Sequence, residues 1–188
     1  MTMASSKTAQ PRFRTLDLVY IAAGAALIAV CSWISIPTAI PFTLQTFAVF
    51  LLMSALGGKR GTLSVLVYLM LGAVGLPVFA GFSGGIGILL GNTGGYLAGF
   101  LLTGVVYLLA ERFAPKKLLT EILALAAGLA VCYAFGTAWF MLVYMKANGP
   151  VGLGNVLGWC VLPFVLPDLV KLTLALTAAH RIAPYIRK

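Results

Sequence analysis

The stretch Pro-Phe-Val-Leu-Pro-Asp-Leu-Val-Lys-Leu at residues 163–172 places an acid and a base, Asp168 and Lys171, inside an otherwise apolar segment. A charge at hydrocarbon depth is costly, so such side chains usually face a cavity or a partner rather than lipid. A helix would put these two residues on one face, close enough to pair. Pro163 and Pro167 would also free backbone carbonyls just before the pair. We therefore predict that this stretch forms the wall or floor of a binding site.

The composition of the chain is that of a membrane protein. Of its 188 residues, 61% are hydrophobic and 9% are charged, and the mean hydropathy is +1.04. Soluble domains are about 45–50% apolar and about 25% charged, so these charges are too few to cover a water-facing surface. The net charge of +9 does not indicate nucleic-acid binding, because the basic residues form short clusters between apolar runs and no nucleic-acid motif is present. We predict an all-α polytopic integral membrane protein.

Six apolar runs predict six transmembrane helices. They form a single membrane domain at residues 17–188, after a polar cytoplasmic tail at 1–16. The runs lie at roughly 18–36, 44–56, 61–77, 94–110, 118–145 and from about 155 to just before His180. The second run is short for a crossing, so the Pro-Phe-Thr-Leu-Gln segment of the proline-broken connection at 37–46 is expected within membrane depth. Its polar residues include Thr43 and Gln45, and Gln45 either reaches a central cavity or simply caps the helix.

The basic residues predict how the chain is oriented. Six spans place the N-terminus, the turns at 57–61 and 111–117 and the C-terminus on one side. That side carries all of the Lys and Arg residues except Lys146 and Lys171. Cytoplasmic loops carry such an excess of positive charge. Both termini are therefore predicted to be cytoplasmic, and the connections at 37–43, 78–93 and 146–154 external.

The connection between the third and fourth runs is rich in glycine, which permits close backbone approach. Asn92, Thr93 and Tyr96 supply hydrogen-bonding groups there, and Phe79 and Phe82 supply apolar walls. A small-molecule site is typically apolar with a few placed polar groups. The glycine-rich connection is not a phosphate loop, because no Gly-Lys-Ser/Thr follows it. The region is either part of a binding site or a helix-packing element.

Small residues recur at four-residue spacing in the first run. Such spacing lets another membrane helix approach closely, because helix association in lipid depends on packing. The stripe either packs inside the protein or docks onto a separate membrane subunit. The residues concerned are Ala22, Ala25, Ala26 and Ala29.

Cysteine and histidine indicate no metal site and no disulfide framework. Cys31, Cys132 and Cys160 are odd in number, far apart and inside apolar runs, which is typical of small buried hydrophobic residues. The single histidine, His180, adjoins the basic terminus. We predict an interfacial position for it rather than a ligand or proton-relay role.

Four motifs along the chain resemble, in the same order, those of a known protein family. They are Pro-Phe-Thr-Leu-Gln-Thr at 41–46, Gly-Leu-Pro-Val-Phe at 75–79, Gly-Asn-Thr-Gly-Gly-Tyr-Leu-Ala-Gly-Phe at 91–100 and Pro-Asp-Leu-Val-Lys at 167–171. Together they resemble the BioY family, the biotin-specific substrate-binding (S) components of energy-coupling factor (ECF) vitamin transporters. The resemblance extends from about residue 15 to residue 185.

The resemblance implies a six-helix S-component bundle in the cell membrane of a prokaryote, with biotin bound near the external face. It also implies a partner module of one transmembrane coupling protein, docked on the alanine stripe, and two ATPases. We assign Asp168 and Asn92 to the ureido edge of biotin, whereas Lys171 either pairs with Asp168 or meets a ligand acceptor. The full predicted ligand-binding set is Asp168, Lys171, Asn92, Tyr96, Gln45, Thr43 and Phe79.

Three alternatives remain at the level of sequence. The chain could be an S-component for another vitamin, such as riboflavin or thiamin. It could be a self-sufficient secondary transporter with Asp168 as a proton site. A membrane enzyme is disfavoured, because the chain has no His/Glu cluster, metal-ligand spacing or nucleophile motif. We expect no cofactor in this chain, and the lack of a Walker motif assigns ATP hydrolysis to other subunits.

Overall fold

The computed structural model describes residues 14–37, 40–115 and 117–186. Nearly all of its regular structure is helical, apart from a two-stranded ribbon and one 3-10 turn. In chain order the elements are α1 (Thr15–Trp33), β1 (Ser35–Ile36), β2 (Phe42–Thr43), α2 (Gln45–Leu56), α3 (Gly58–Ala73), the 3-10 turn (Ala80–Phe82), α4 (Ile86–Leu90), α5 (Gly94–Phe113), α6 (Leu118–Asn148), α7 (Leu153–Cys160) and α8 (Leu162–Ile186).

The all-α membrane class is confirmed, but the count of six spans is not. In the described part of the chain, four helical stretches are long and apolar enough to cross a membrane. They are Thr15–Trp33, Gly94–Phe113, Leu118–Asn148 and Leu153–Ile186. Helix α2 has 12 residues and α3 has 16, whereas a hydrocarbon core about 30 Å thick requires about 20 residues.

The helices at the two ends of the chain differ in their bounds from the predicted apolar runs. Helix α1 begins at Thr15, inside the predicted tail, because the Arg14 backbone N–H donates to the Asp17 carboxylate at 3.0 Å and closes the first turn. The rest of that tail, up to residue 13, lies outside the described residues. The last run is two helices that break at Val161. Helix α8 continues beyond His180, whose ring meets Glu121 of α6 at 3.0 Å.

Helix α2 forms the centre of the bundle. Every residue from Ala48 to Ala55 is buried, and all but Ser54 are apolar, as expected for a helix surrounded by others. It contacts α1, α3, α5 and α8. A short helix can remain at this position because its neighbours, rather than lipid, cover it.

Helices α5 and α6 pack closely through small residues. A Cβ at Gly99 would lie 2.6 Å from Sγ of Cys132, and a Cβ at Gly136 would overlap the ring of Tyr96. Glycine at such positions lets helix backbones approach, which is how membrane helices associate without a hydrophobic driving force. Some of the glycines in the sequence are therefore explained by close helix packing rather than by ligand binding.

The alanine stripe of α1 faces two ways. Ala25 and Ala29 are 2% and 6% exposed and belong to the core, whereas Ala22 and Ala26 are exposed. An α-helix turns 100° per residue, so positions three apart lie on rows separated by about 60°. The structure corrects the docking prediction for Ala25 and Ala29, which pack internally. Docking stays a prediction for Ala22 and Ala26.

The ends of the bundle differ in character. At one end, Arg60 forms an ion pair with Asp17, and the Gly58 backbone N–H donates to Glu111 at 2.7 Å. At the other end, the Trp33 indole donates to the Pro77 carbonyl at 2.9 Å and the ribbon covers the helices. The turns predicted to share a side therefore do so, and the connecting segments gather opposite them.

We expect the close α5–α6 approach to be sensitive to a single methyl group. Gly99→Ala should lower the free energy of unfolding by about 1–3 kcal/mol, because overpacking forces the backbones apart. Gly158→Ala in α7 is the matched control. A Cβ there meets no atom within 4 Å, and alanine favours a helix by about 0.5–1 kcal/mol over glycine. In thermal unfolding in detergent, Gly99→Ala should have a lower midpoint than the parent protein, and Gly158→Ala should have an equal or higher one. Equal midpoints for the two variants would contradict the packing argument.

Candidate ligand-binding site

A cavity of about 210 Å³ opens at the loop-rich end of the bundle, between α2, α5, α6, α8 and the connecting segments. This is several times the volume of about 30 Å³ that one water occupies in the liquid, so the cavity can hold a small organic molecule. Six of the seven predicted ligand-binding residues line it. They are Thr43, Gln45, Phe79, Tyr96, Asp168 and Lys171.

Asp168 and Lys171 form the polar wall of this cavity. They lie in α8 with Nζ 2.8 Å from Oδ1, and they are 2% and 6% exposed. The same ammonium group donates to the Thr43 carbonyl at 2.7 Å and to Thr46 Oγ1 at 3.2 Å. It also lies 4.2 Å from the ring centroid of Phe42, a cation–π distance. The predicted pairing on one helix face is thus present in the structure.

The Asp168 carboxylate has two further donors. The hydroxyl of Tyr133 donates to Oδ2 at 2.6 Å, and the hydroxyl of Thr46 donates to Oδ1 at 2.8 Å. Hydrogen bonds to a charged acceptor are short and strong, and they offset part of the cost of burying the charge. Asp168, Lys171, Tyr133 and Thr46 are called the acidic cluster below.

Two members of the acidic cluster were not among the predicted ligand residues. Thr46 belongs to the 41–46 motif quoted above, so the sequence did contain a signal for it. Tyr133 lies in α6, which is apolar over most of its 31 residues. Its hydroxyl could not be paired with Asp168 from sequence, because the contact depends on how α6 is rotated against α8.

A second group of buried polar residues supports the ribbon side of the cavity. Thr43 Oγ1 donates to Gln45 Oε1 at 2.9 Å, and the Gln45 amide donates to the Tyr68 hydroxyl at 2.5 Å. The Tyr68 ring meets Phe79 edge-on with centroids 5.4 Å apart. Phe79 in turn occupies the notch left by Gly72, where a Cβ would overlap its ring. Gln45 therefore reaches the cavity, and Phe79 is a fixed wall.

Asn92 is the one predicted ligand residue that the structure places elsewhere. It is exposed and lies outside the cavity lining, whereas the next residue, Thr93, lines the cavity. The turn before α5 points successive side chains in different directions, so one motif supplies both positions. Tyr96 lines the cavity, and its hydroxyl lies 3.2 Å from that of Thr137.

The arrangement fits an uncharged polar group at one end of an apolar ligand. The acidic cluster offers acceptors, and Leu97, Phe100, Leu129 and Phe164 supply apolar surface. The three cysteines are buried and unpaired. Within residues 14–37, 40–115 and 117–186, no group of three or more His, Cys, Asp or Glu side chains is placed to hold a metal ion.

The family model described as the BioY family matches residues 3–188. The chain belongs to the BioY family. The biotin transporter BioY of Thermotoga maritima is 46% identical over 159 residues, which are 84% of this chain and 89% of that protein. The biotin transporter BioY of Rhodobacter capsulatus is 38% identical over 153 residues, covering 78% and 80% of the two chains.

The fold has a close counterpart among solved structures. A crystal structure of the S-component for biotin from an ECF-type ABC transporter matches with a TM-score of 0.76 and 27% identity, over 88% of this chain and 89% of that one. These similar proteins are transporters or transporter subunits rather than enzymes. The chain is accordingly a membrane protein of a transporter family.

Breaking the buried ion pair from one side should destabilise the protein. Lys171→Met leaves the Asp168 carboxylate without its cation, and removing one partner of a buried pair costs about 3–5 kcal/mol. Asp168→Asn combined with Lys171→Met removes both charges, so its loss should be smaller than the sum of the two single losses.

The free energies of unfolding in detergent would form a double-mutant cycle. Lys146→Met is the matched control, because Lys146 is exposed and should change stability by about 0.5 kcal/mol or less. Strictly additive losses for the two single variants would show that the pair is not coupled.

Proposed function

We propose that this protein is the high-affinity biotin-binding S-component of an ECF-type vitamin uptake transporter. The observation that carries the proposal is the acidic cluster. It forms a buried polar wall on an otherwise apolar cavity, within a fold that matches the S-component for biotin. The protein would capture biotin on the external side and deliver it inward together with an ATP-driven module.

The chemistry of biotin matches the cavity. Its fused rings are apolar on both faces, and its ureido group has two N–H donors and one carbonyl. Asp168 Oδ2 and the Tyr133 oxygen can accept from the ureido N–H groups, and the Gln45 amide can donate to the carbonyl. In this proposal, Tyr133 takes the role that the sequence predicted for Asn92. Such matched hydrogen bonds exclude analogues that would leave buried polar groups unpaired.

The proposal assigns the remaining helices and the orientation as well. A single membrane domain from about residue 17 would have six spans, with α2 and α3 as short spans and α7–α8 as the last one. The end with Asp17, Arg60 and His180 would face the cytoplasm of a prokaryotic cell, and the loop-rich end would face outside. The cavity would then open to the side from which biotin arrives.

The partners follow from the S-component role. A transmembrane coupling protein would dock near the exposed Ala22 and Ala26, and two ATPase subunits would supply energy, with no cofactor in this chain. A proton-coupled secondary transporter is less well supported. Asp168 is held by Lys171, Thr46 and Tyr133, so a proton would have to displace a cation and two hydrogen bonds.

We expect isothermal calorimetry of the purified protein to show one-to-one, nanomolar binding of biotin and no heat with riboflavin or thiamin. Asp168→Asn should weaken biotin binding by ~30-fold or more, because a ureido N–H group loses a charge-assisted hydrogen bond worth about 1.5–3 kcal/mol. Asp17→Asn makes the same chemical change at the opposite end of the bundle and should leave the affinity unchanged.

The other outcomes of that titration separate the alternatives. Binding of another vitamin in place of biotin would keep the S-component role and change the substrate. Unchanged biotin affinity in Asp168→Asn would remove the acidic cluster from the site. Biotin flux in liposomes containing this chain alone would favour a secondary transporter.

The proposed orientation predicts which exposed positions react from outside the cell. Asn148→Cys, at the C-terminal end of α6, should react with a membrane-impermeant maleimide in intact cells, and Lys59→Cys, at the start of α3, should react only after permeabilisation. Both side chains are exposed, while the native cysteines are buried. The parent protein is the control for background labelling, and the reverse pattern would invert the topology.

A further inference from the structure

The charges that line the cavity are balanced without a ligand. In the described part of the chain, Asp168 is the only acidic residue and Lys171 the only basic residue in the lining. They pair with each other at 2.8 Å. The cavity therefore contributes no net charge to attract an ionic ligand.

The Lys171 ammonium group has no donor to spare. An ammonium group carries three N–H donors. Its three acceptors here are Asp168 Oδ1, the Thr43 carbonyl and Thr46 Oγ1. A ligand carboxylate could bind this cation only by displacing one of these buried acceptors. It would also approach the Asp168 carboxylate, which repels an anion.

Beside the ion pair, the Asp168 carboxylate can still accept a hydrogen bond from an N–H donor of the ligand. Among the described residues, Asp168 Oδ2 accepts a hydrogen bond from the Tyr133 hydroxyl, and a carboxylate oxygen can accept a second. The ureido end of biotin supplies such donors, whereas its carboxylate supplies none. The ring end of the ligand is thus the end that fits the acidic cluster.

The tail must then point to the part of the lining that is partly exposed. Outside the acidic cluster, the partly exposed lining residues are Pro41, Phe164 and four residues of the segment between α3 and α5, namely Ala80, Ser83, Ile88 and Thr93. The Ser83 hydroxyl already donates to the Ala80 carbonyl at 2.8 Å. None of these residues is a cation, so a buried tail carboxylate would have no counter-ion there, which is strongly unfavourable. A carboxylate at this opening has to be hydrated.

We infer that the site recognises the ureido bicycle and does not require the tail charge, so that its substrate class includes biotin derivatives with a neutral tail, such as primary amides. This inference rests on the proposed biotin site. It concerns the direction in which biotin lies and which of its groups are recognised. An S-component that selects biotin by its carboxylate would need a free cation in the cavity.

The test compares biotin with biotinamide, in which an NH₂ group replaces one carboxylate oxygen at nearly the same size. Calorimetry at neutral pH on the same preparation should give dissociation constants within about threefold of each other. Biotin methylated on a ureido nitrogen is the matched control at the other end of the ligand. It should bind more than ~30-fold more weakly, because it loses a charge-assisted hydrogen bond.

Each outcome of the comparison bears on a different claim. Loss of biotinamide binding by ~30-fold or more, with biotin still bound, would overturn the inference and place the carboxylate on Lys171. Lys171→Met would then abolish the preference for biotin over its amide, whereas the inference expects a ratio near one in both proteins. Absence of biotin binding itself would refute the proposed function and not the ligand orientation. If Lys171→Met does not fold, the ratio in the unmodified protein decides alone.

Discussion

The ion pair between Asp168 and Lys171 is the constraint on which the arrangement of the site depends. Two charges at this depth are costly unless every polar atom is satisfied. The partners come from separate parts of the chain: Thr43 from the ribbon, Thr46 from α2 and Tyr133 from α6. Because α8 cannot bury its charges alone, satisfying them fixes where the ribbon, α2 and α6 lie. The need of the two buried α8 charges for hydrogen-bond partners thereby positions most of the cavity wall.

The proline-broken connection before α2 provides what the pair needs. Pro37 and Pro41 disfavour a helix, so the chain forms a short ribbon and α2 starts only at Gln45. The Thr43 carbonyl is consequently available to Lys171, while a carbonyl inside a helix would be bonded to a backbone N–H. The short length of α2 and the presence of a backbone acceptor beside the cavity have the same cause. Irregular backbone at membrane depth is tolerated where it is buried in protein or lines a cavity, and Thr43 both is buried and lines the cavity.

Much of the fold was predictable because it follows from local sequence, but the site was predictable only in part. The spacing of Asp168 and Lys171 predicted their pairing, since one helix contains both. Tyr133 could not be predicted, because its contact is set by the rotation of one apolar helix against another and the α6 sequence has little polar pattern. The break at Val161 has a signal in Pro163, which lacks a backbone N–H and is tolerated in the first turn of a helix, but the apolar run alone predicted one continuous span. Asn92 and Thr93 show the same limit, because one motif points them in different directions.

The two ends of the bundle are held together by different kinds of contact. At the charged end, Glu121 joins two helices directly, through the Tyr107 hydroxyl of α5 and the His180 ring of α8. At the loop-rich end, the segment between α3 and α5 contains Gly75, Gly81 and Gly85, all with positive φ. The hydroxyl of Ser32 and the indole of Trp33, both on α1, donate to backbone carbonyls of this segment. Phe79 lies in that same segment and occupies the notch at Gly72, so the segment also supplies a fixed apolar wall of the cavity. The charged end is thus joined through ionisable side chains, and the loop-rich end through backbone carbonyls and a packed ring.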